Sequence, residues 1–354
     1  MARTSAGARV ELIWNKGISA LCDRRFPDEF PLGKGYSPMP AYVGALWSRR
    51  LPDDLIRDPS AAAKIQNGEL VWVRLSWLKA FVRQVLPSVR ADFVLVTGES
   101  DSCVPSEIGE VGRAVLESSR VVHWYTQNYD GSMPGERISP MPIGIDFHTL
   151  GAKAFWGEDM SSPFEQEQSL LAIGESLPRL QERQRKVYVD FAWQRGFGAF
   201  GGWRRDFGFF RRLHPLKGTT FHESRRKLAG KFRGNELMHC QTGPLSRKEM
   251  WRRRGEYAFV LSPHGVGLDC HRTWEALALG HIVLVPSSSL DSLYAGLPVV
   301  PLRSWNEITS ESLDRWLSIH LNGGTSREKL TSCYWANEFR TCAQAGVASA
   351  ASMA

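Results

Sequence analysis

The segment Tyr257–Pro301 constrains the fold of this chain more than any other part of its sequence. It opens with an apolar run that breaks at Ser262-Pro263, passes two glycines, and continues with apolar residues at helical spacing. Gly280 is predicted to end that helix as a left-handed cap, and Ile282–Val285 is a continuous apolar run typical of a strand buried on both faces. The pattern predicts a β-α-β unit and therefore a parallel sheet.

The polar residues of the same segment predict an anion site. Asp269 is the expected N-cap of the helix, which places His271 and Arg272 in the first turn. A cation there opposes the helix dipole by about 0.3–1 kcal/mol, so we expect an anionic ligand, and free backbone N–H groups beside a guanidinium suit a phosphate. Glu275 lies three residues further on and is suitably placed for ribose hydroxyls; the alternative is an ordinary surface pair with Arg272.

Ten residues in this segment fit the pattern F-x-L-x-P-x-G, then R-x-x-E-A-(L/I)-x-x-G, then an apolar strand ending in proline. They are Phe259, Leu261, Pro263, Gly265, Arg272, Glu275, Ala276, Leu277, Gly280 and Pro286. The chain thereby resembles the exostosin-type glycosyltransferases and their bacterial and viral relatives. The resemblance implies an α/β fold of the GT-B type, in which two Rossmann-like domains with parallel sheets face a cleft and the C-terminal domain binds a nucleotide-sugar. The residues expected to bind the donor are Pro263, His264, Gly265, Gly267, His271, Arg272, Glu275 and, beyond a glycine-rich loop, Arg225.

The N-terminal half shows the same alternation of strands and helices. Val10–Trp14 is a candidate first strand, and Phe93–Val96 and Val121–Tyr125 are predicted strands followed by polar residues. Similar T-G-(D/E)-S-D, Q-N and P-I-G-(I/L)-D-(F/Y)-H stretches occur in the family. Asp101 and Asp146 are the candidate catalytic bases, because a carboxylate at the mouth of a parallel sheet can accept a proton; each could instead order its own loop. The acceptor-side candidates are Glu99, Gln127, Asn128 and His148.

Length and composition are consistent with two domains. The 354 residues suffice for two cores, and we predict an N-terminal acceptor domain at 1–180, a nucleotide-sugar domain at 181–325, and a C-terminal helix that crosses back, with a frayed tail, at 326–354. The six cysteines form no C-x-x-C pair, so neither a zinc ribbon nor a disulfide framework is indicated. No signal peptide and no apolar run of about 18 residues is found, and we expect a cytoplasmic protein.

These observations predict a glycosyltransferase that moves a sugar from a nucleoside-diphosphate donor, with UDP-sugars favoured, to an oligosaccharide or glycan acceptor. We expect no cofactor and no divalent metal, and the resemblance implies inversion at the anomeric carbon. The net charge of +7 leaves peripheral membrane association open as a further partner. No specific nucleic acid is expected.

Three alternatives remain at this stage. Glu99 and Asp101 have the D-x-D-like spacing with which GT-A transferases bind a metal. The segment 195–233 combines eleven Lys or Arg with two acidic residues and several aromatics, which suits single-stranded nucleic acid. Gly265 and Gly267 nearly match a dinucleotide fingerprint, but its third glycine is replaced by Cys270, which ranks a nicotinamide-dependent oxidoreductase well below glycosyl transfer.

Overall fold

Two five-stranded parallel sheets form the framework of the protein. The computed structural model describes residues 10–26, 59–191, 225–323 and 326–352. The first sheet has the order β1-β2-β3-β4-β5, with β1 at Arg24–Phe26, β2 at Leu70–Arg74, β3 at Phe93–Gly98, β4 at Val121–Thr126 and β5 at Ile138–Pro140. The second has the order β10-β9-β8-β6-β7, with β6 at Gln184–Val189, β7 at Met238–Cys240, β8 at Tyr257–Leu261, β9 at Ile282–Pro286 and β10 at Val299–Leu302. The predicted α/β architecture with two parallel sheets is confirmed.

The central strands are buried on both faces, which explains their unbroken apolar sequences. Every residue of β3, β8 and β9 is buried. Strands covered on both sides read as continuous runs of Val, Ile and Leu rather than as an alternating pattern. Gly280 precedes β9 with φ +75°, the left-handed conformation predicted for a helix-ending glycine.

Helices cover both faces of each sheet. The first half contributes α1 at Leu78–Gln84, α2 at Glu110–Glu117, α3 at His148–Ala152 and α4 at Pro163–Ser176. The second contributes α5 at Arg225–Phe232, α6 at Arg247–Arg254, α7 at His271–Ala278, α8 at Ser310–Asn322 and α9 at Ser332–Ser352. Among the described residues, no helix combines the length and apolar character needed to span a membrane.

The C-terminal helix α9 packs on the first sheet, against β2, β3 and β4. Its Phe339 ring lies 4.6 Å from that of Tyr125 on β4, and Trp335 lies one turn earlier, 5.9 Å from Phe339. Both α9 side chains are buried. The last helix therefore supplies part of the core under the first sheet, although it follows the second sheet in the chain.

The segment predicted as a first strand, Val10–Trp14, is not a member of either sheet. It forms single bridges instead, from Leu12 to Thr331 and from Trp14 to Ile145. The carboxylate of Glu167 on α4 accepts hydrogen bonds from the backbone N–H groups of Glu11 and Leu12, at 2.8 and 2.6 Å. These contacts hold the segment as a strap across α4 and the start of α9, so the strand prediction was wrong.

Candidate active site

The order of the second sheet reverses between β6 and β8, and polar residues follow both strands at that point. Asp190 comes directly after β6, and Ser262 directly after β8. The hydroxyl oxygens of Ser262 and Thr273 lie 2.9 Å apart, which fixes the first turn of α7 to the end of β8. Ligands of open α/β sheets bind outside the carboxyl ends of the strands at such a switch point. This position is therefore the expected ligand site of the second sheet.

Arg272 lies at this switch point and pairs with Asp190 rather than with Glu275. Its Nε donates to Asp190 Oδ1 at 2.7 Å, and its guanidinium lies over the ring of Phe191, 5.8 Å from the centroid. The Arg272 side chain is 17% exposed, whereas that of Asp190 is 1% exposed. The surface-pair alternative for Arg272 and Glu275 is therefore wrong, and the Arg272 side chain is partly exposed to solvent.

Glu275 belongs to a buried charge network behind Arg272. Its two carboxylate oxygens accept hydrogen bonds from Arg247 Nη2 at 2.7 Å and from Trp251 Nε1 at 3.3 Å. Arg254 Nη1 lies 3.6 Å from the second oxygen. Because Glu275 is buried and both oxygens already have protein donors, the structure gives it a structural role in place of the predicted contact with a ribose.

The same network reaches Asp190 through Arg254, whose Nε and Nη2 donate to Asp190 Oδ2 at 3.0 and 2.5 Å. Burial acts to raise the pKa of Asp190, but the adjacent guanidinium groups of Arg254 and Arg272 outweigh it and hold the pKa below its usual value. We call these five residues the arginine network: Asp190, Arg247, Arg254, Arg272 and Glu275. Three arginines against two carboxylates leave one positive charge in excess, and Arg272 is its most exposed member.

Asp269 connects the two halves and is not the N-cap of α7. The N-cap residue is Cys270, and α7 has no side-chain cap. Asp269 Oδ2 accepts from the backbone N–H of Ile143 in the first half and from Trp274 Nε1, both at 2.8 Å. Burial raises the pKa of Asp269, against the effect of these donors. The N-cap prediction was wrong because α7 begins one residue later, and the carboxylate binds the Ile143 N–H and the Trp274 side chain in place of the N–H groups of the first helical turn.

Asn128 and Gly267 complete this contact between the halves. The Asn128 side chain donates to the carbonyl of Ser100 at 2.8 Å and accepts from the N–H of Asp269 at 2.9 Å. A Cβ on Gly267 would lie 2.7 Å from the Asn128 amide, so only glycine allows this close approach. Both residues therefore support the interface, which is a different role from the acceptor and donor contacts predicted for them.

Glu99 and Gln127 are also engaged within the protein. Lys16 Nζ lies 2.6 Å from each Glu99 oxygen, and Gln127 accepts from the Glu99 N–H at 2.9 Å and donates to the carbonyl of Pro142 at 3.3 Å. Burial lowers the pKa of Lys16 to about 8, although Glu99 acts to raise it. An ammonium group thus occupies the place that a metal would take at Glu99, which argues against the D-x-D alternative. Asp101 lies partly buried in the loop after β3.

A second polar cluster joins Asp146 and His148 of the first half to His271 of the second. His148 Nδ1 lies 2.8 Å from Asp146 Oδ1, a short contact without in-line N–H geometry. Thr149 donates to both Asp146 oxygens, at 2.9 Å from its N–H and 2.8 Å from its hydroxyl. His271 Nδ1 lies 2.6 Å from the carbonyl oxygen of Gly144, and its ring centroid is 5.7 Å from that of His148.

The electrostatics of this cluster favour a neutral histidine beside an ionised carboxylate. Burial lowers the pKa of His148 below its usual value, although Asp146 acts to raise it. Burial acts to raise the pKa of Asp146, but His148, His271 and Arg247 together hold it well below the usual range. Single ligand atoms of Asp146, His148 and His271 lie within 4.8 Å of one another, so by distance alone this group could hold a metal ion.

The other predicted donor residues lie around the loop before α7. Pro263 accepts from the thiol of Cys270 through its carbonyl oxygen, His264 Nδ1 lies 2.8 Å from the carbonyl of Leu268, and the Gly265 N–H donates to the carbonyl of Gly267. The loop is thus folded on itself at the end of β8. Arg225 is the first residue of α5, and its side chain lies outside the described residues, as does the glycine-rich loop at 196–202.

A cavity of about 470 Å³ opens at the carboxyl end of β7. It is lined by the end of α5 and the turn after it, and by β7 and the residues that follow it: Phe232, Arg233, Gly234, Met238, Cys240, Gln241, Thr242 and Gly243. The N–H of Gln241 donates to the carbonyl of Val189, the residue before Asp190. The cavity therefore lies one strand away from the arginine network.

Comparisons with known proteins find only distant similarity. No protein-family model and no curated protein matches the chain. Among solved structures, one described as trehalose-6-phosphate from E. coli bound with UDP-2-fluoro glucose aligns at a TM-score of 0.37 with 9% identity, over 82% of this chain and 74% of that one.

Two further structures align at a similar level. The α,α-trehalose 6-phosphate synthase from Burkholderia multivorans gives a TM-score of 0.32 with 12% identity, over 83% of this chain and 74% of that one. An α-glucosyltransferase in complex with UDP and a 13-mer DNA gives 0.30 with 12% identity, over 82% and 79%. Scores this low support no conclusion about the activity of this chain, and the exostosin resemblance remains a prediction from its motifs.

Proposed function

We propose that this protein is a glycosyltransferase that moves a sugar from a nucleoside-diphosphate donor, with UDP-sugars favoured, to a carbohydrate acceptor. The observation that carries the proposal is Arg272, which lies at the first turn of α7 and at the switch point of the second sheet. Its Nε is held by Asp190, and one positive charge of the arginine network is not balanced by a carboxylate. An anionic ligand at this position would balance that charge.

A diphosphate suits this position for two reasons. The N-terminus of α7 carries the positive end of the helix dipole and N–H groups without helical partners. The terminal nitrogens of Arg272 form a planar pair of donors that matches two phosphate oxygens. When the bond from sugar to phosphate breaks, negative charge grows on the departing diphosphate, so the same groups would stabilise the transition state more than the ground state.

The cavity at the end of β7 is the expected site of the nucleoside. Its volume of about 470 Å³ falls within the ordinary range for a small-molecule pocket. Since it lies one strand from Asp190, a nucleoside placed there would have its diphosphate near Arg272. A sugar on the far side of the diphosphate would then face the first half, where the histidine cluster lies.

We assign the role of general base to His148, with Asp146 as its partner. A base must be unprotonated at neutral pH, and burial lowers the pKa of His148 below its usual value. The ionised Asp146 lies 2.8 Å from Nδ1 and would stabilise the imidazolium formed when Nε2 takes the acceptor proton. Deprotonation of the acceptor during its attack corresponds to a single displacement, which inverts the anomeric carbon.

We propose that the reaction needs no metal. Both oxygens of Asp146 already accept hydrogen bonds from Thr149, and the positive charges of Lys16 and Arg247 act on this cluster. These contacts favour a base and its partner over a cation site. The nucleic-acid alternative depends on the segment 195–233, of which residues 195–224 lie outside the described part of the chain, and it remains a prediction.

The test is a donor screen with a matched pair of arginine variants. UDP-, GDP- and CMP-sugars are scanned by thermal shift, since a ligand that binds the native state raises the melting temperature. Arg272→Ala should abolish the shift and slow turnover, whereas Arg272→Lys should recover part of both, because lysine keeps the charge and loses the fork. Arg252→Ala, which removes an exposed arginine from α6, is the control and should behave as the wild type.

Two outcomes would overturn this assignment. Unchanged nucleotide binding by Arg272→Ala would show that its charge serves the fold alone. Loss of wild-type activity in EDTA with recovery in Mn²⁺ would replace the metal-free mechanism, and the cluster of Asp146, His148 and His271 would then be the first place to look for the ion.

A further inference from the structure

Asp190 is the carboxylate of the arginine network that contacts Arg272, and it belongs to none of the motifs in the sequence. We infer that Asp190 is a positioning residue, which holds the guanidinium of Arg272 in the orientation that receives the donor diphosphate. This inference rests on the proposed function. It adds a residue that contacts no substrate and acts only through Arg272.

The two carboxylate oxygens of Asp190 bind different arginines. Oδ2 accepts from Nε and Nη2 of Arg254, at 3.0 and 2.5 Å, and Oδ1 accepts from Nε of Arg272 at 2.7 Å. Arg254 is buried in α6, so Asp190 is itself held on one side by a rigid helix. Its backbone follows β6, the strand beside the switch point. Asp190 is therefore a fixed point against which the more exposed Arg272 is oriented.

Because Asp190 binds Nε of Arg272, it determines which nitrogens of the guanidinium can donate to a ligand. A carboxylate on Nε occupies one side of the guanidinium, and the ring of Phe191 lies against its face at 5.8 Å. Neither terminal nitrogen of Arg272 has a hydrogen-bond partner within the described ranges 10–26, 59–191, 225–323 and 326–352. The remaining donors are thus the two that form a planar fork, which is the geometry for binding a phosphate through two oxygens.

An asparagine at position 190 would no longer fix the orientation of the Arg272 guanidinium, and it would change the volume of the side chain little. An asparagine side chain has one oxygen that can accept a hydrogen bond, and its NH₂ group can only donate. Since Arg254 and Arg272 are both donors, one of them must lose its partner. Arg254 is enclosed and cannot turn away, whereas Arg272 is partly exposed and can. We therefore expect Asp190→Asn to release Arg272 in preference to Arg254.

The experiment compares two probes, UDP and uridine, by titration calorimetry. Loss of one charge-assisted hydrogen bond to the diphosphate corresponds to roughly a tenfold weaker Kd. Asp190→Asn should show that loss for UDP, while its Kd for uridine, which has no phosphate, should equal that of the wild type. In the Arg272→Ala background the same substitution should have no further effect on UDP, because the residue through which it acts is gone.

A general loss of stability is separated from positioning by a control in a remote core. Leu78→Ala on α1 removes a fully buried side chain from the core of the first half and should lower the melting temperature without changing the ratio of the UDP and uridine Kd values. If Asp190→Asn weakens both probes equally, or weakens UDP as much without Arg272 as with it, Asp190 has only a structural role. If the wild type binds no nucleoside diphosphate, the proposed function fails first and this inference with it.

Discussion

The assignment of His148 as base makes a prediction that two conservative substitutions can test. His148→Gln keeps a polar side chain of similar size but cannot take a proton near neutral pH. General-base catalysis contributes typically about 10²- to 10⁴-fold, so kcat should fall by that range while the Kd for the nucleotide stays unchanged. Asp146→Asn should also lower kcat, by less, because His148 remains but loses the charge that stabilises its protonated form.

The pH dependence distinguishes the two variants. Burial lowers the pKa of His148 below the ordinary histidine value of about 6.5, and Asp146 partly offsets this effect. The wild-type kcat/KM should therefore be constant around pH 7 and fall only as the pH drops through the lowered pKa, where His148 becomes protonated. Asp146→Asn removes the carboxylate charge that raises the pKa of His148, so the pKa of His148 drops further. The acid limb should move to lower pH while the plateau falls.

The same pKa shift affects stability, with a definite sign. In the unfolded chain His148 is protonated below its ordinary pKa, whereas in the folded chain it stays neutral to lower pH. The unfolded state therefore binds more protons in this window, and the free energy of unfolding decreases as the pH falls from about 6.5. His148→Gln should remove this part of the acid sensitivity, which denaturant titrations at pH 7 and pH 5 would measure.

Two control variants test the assignment of His148 as the base. His320 lies on α8, outside the cluster, and burial lowers its pKa as well. His320→Gln should therefore leave kcat intact. Asp101→Asn tests the other candidate base of the first half. If Asp101→Asn abolishes turnover and His148→Gln does not, or if the acid limb of Asp146→Asn moves to higher pH, then His148 is not the base.

Two further predictions concern the support of the site. Glu275→Gln removes one of two carboxylates from the arginine network and should destabilise the protein by about 3–5 kcal/mol, since buried guanidinium groups lose their counter-charge. The control Glu256→Gln breaks an exposed pair with Arg253 and should change the melting temperature little; equal effects would contradict the buried network. Gly267→Ala should cost about 1–3 kcal/mol, because its Cβ would lie 2.7 Å from the Asn128 amide. Gly135→Ala, where nothing lies within 4 Å, should be neutral, and an equally neutral Gly267→Ala would show that the halves do not need this approach.

Strands β3, β4, β8 and β9 could be predicted because their signal is local. Largely apolar runs correspond to these four strands, and the left-handed Gly280 follows the end of α7. The segment at Val10–Trp14 has a similar apolar character, yet it pairs with Ile145 and Thr331 rather than with a sheet. A short apolar run predicts that a segment is buried, but the strand or loop with which the segment pairs depends on elements far away in the sequence.

The partners of the charged residues could not be predicted for the same reason. Local spacing favours a pair between Arg272 and Glu275, three positions apart on one helix. The structure instead pairs Arg272 with Asp190, 82 positions away, and Glu275 with Arg247, 28 positions away. Once packing buries these side chains, each needs an opposite charge nearby because an unpaired buried charge is costly, and side chains of α6 supply the partners of Glu275. The only local hint of Asp190 is its position directly after an apolar run.

The first turn of helix α7 contacts both the arginine network and the cluster of Asp146 and His148. Adjacent residues of a helix point about 100° apart, so His271 and Arg272 necessarily face different neighbours. His271 contacts the carbonyl of Gly144, two residues before Asp146, while Arg272 contacts Asp190 at the end of β6. If the proposed diphosphate binds at Arg272, a displacement of α7 would reach, through His271, the loop that carries Asp146 and His148. The first turn of this short helix would then couple donor binding to the position of His148.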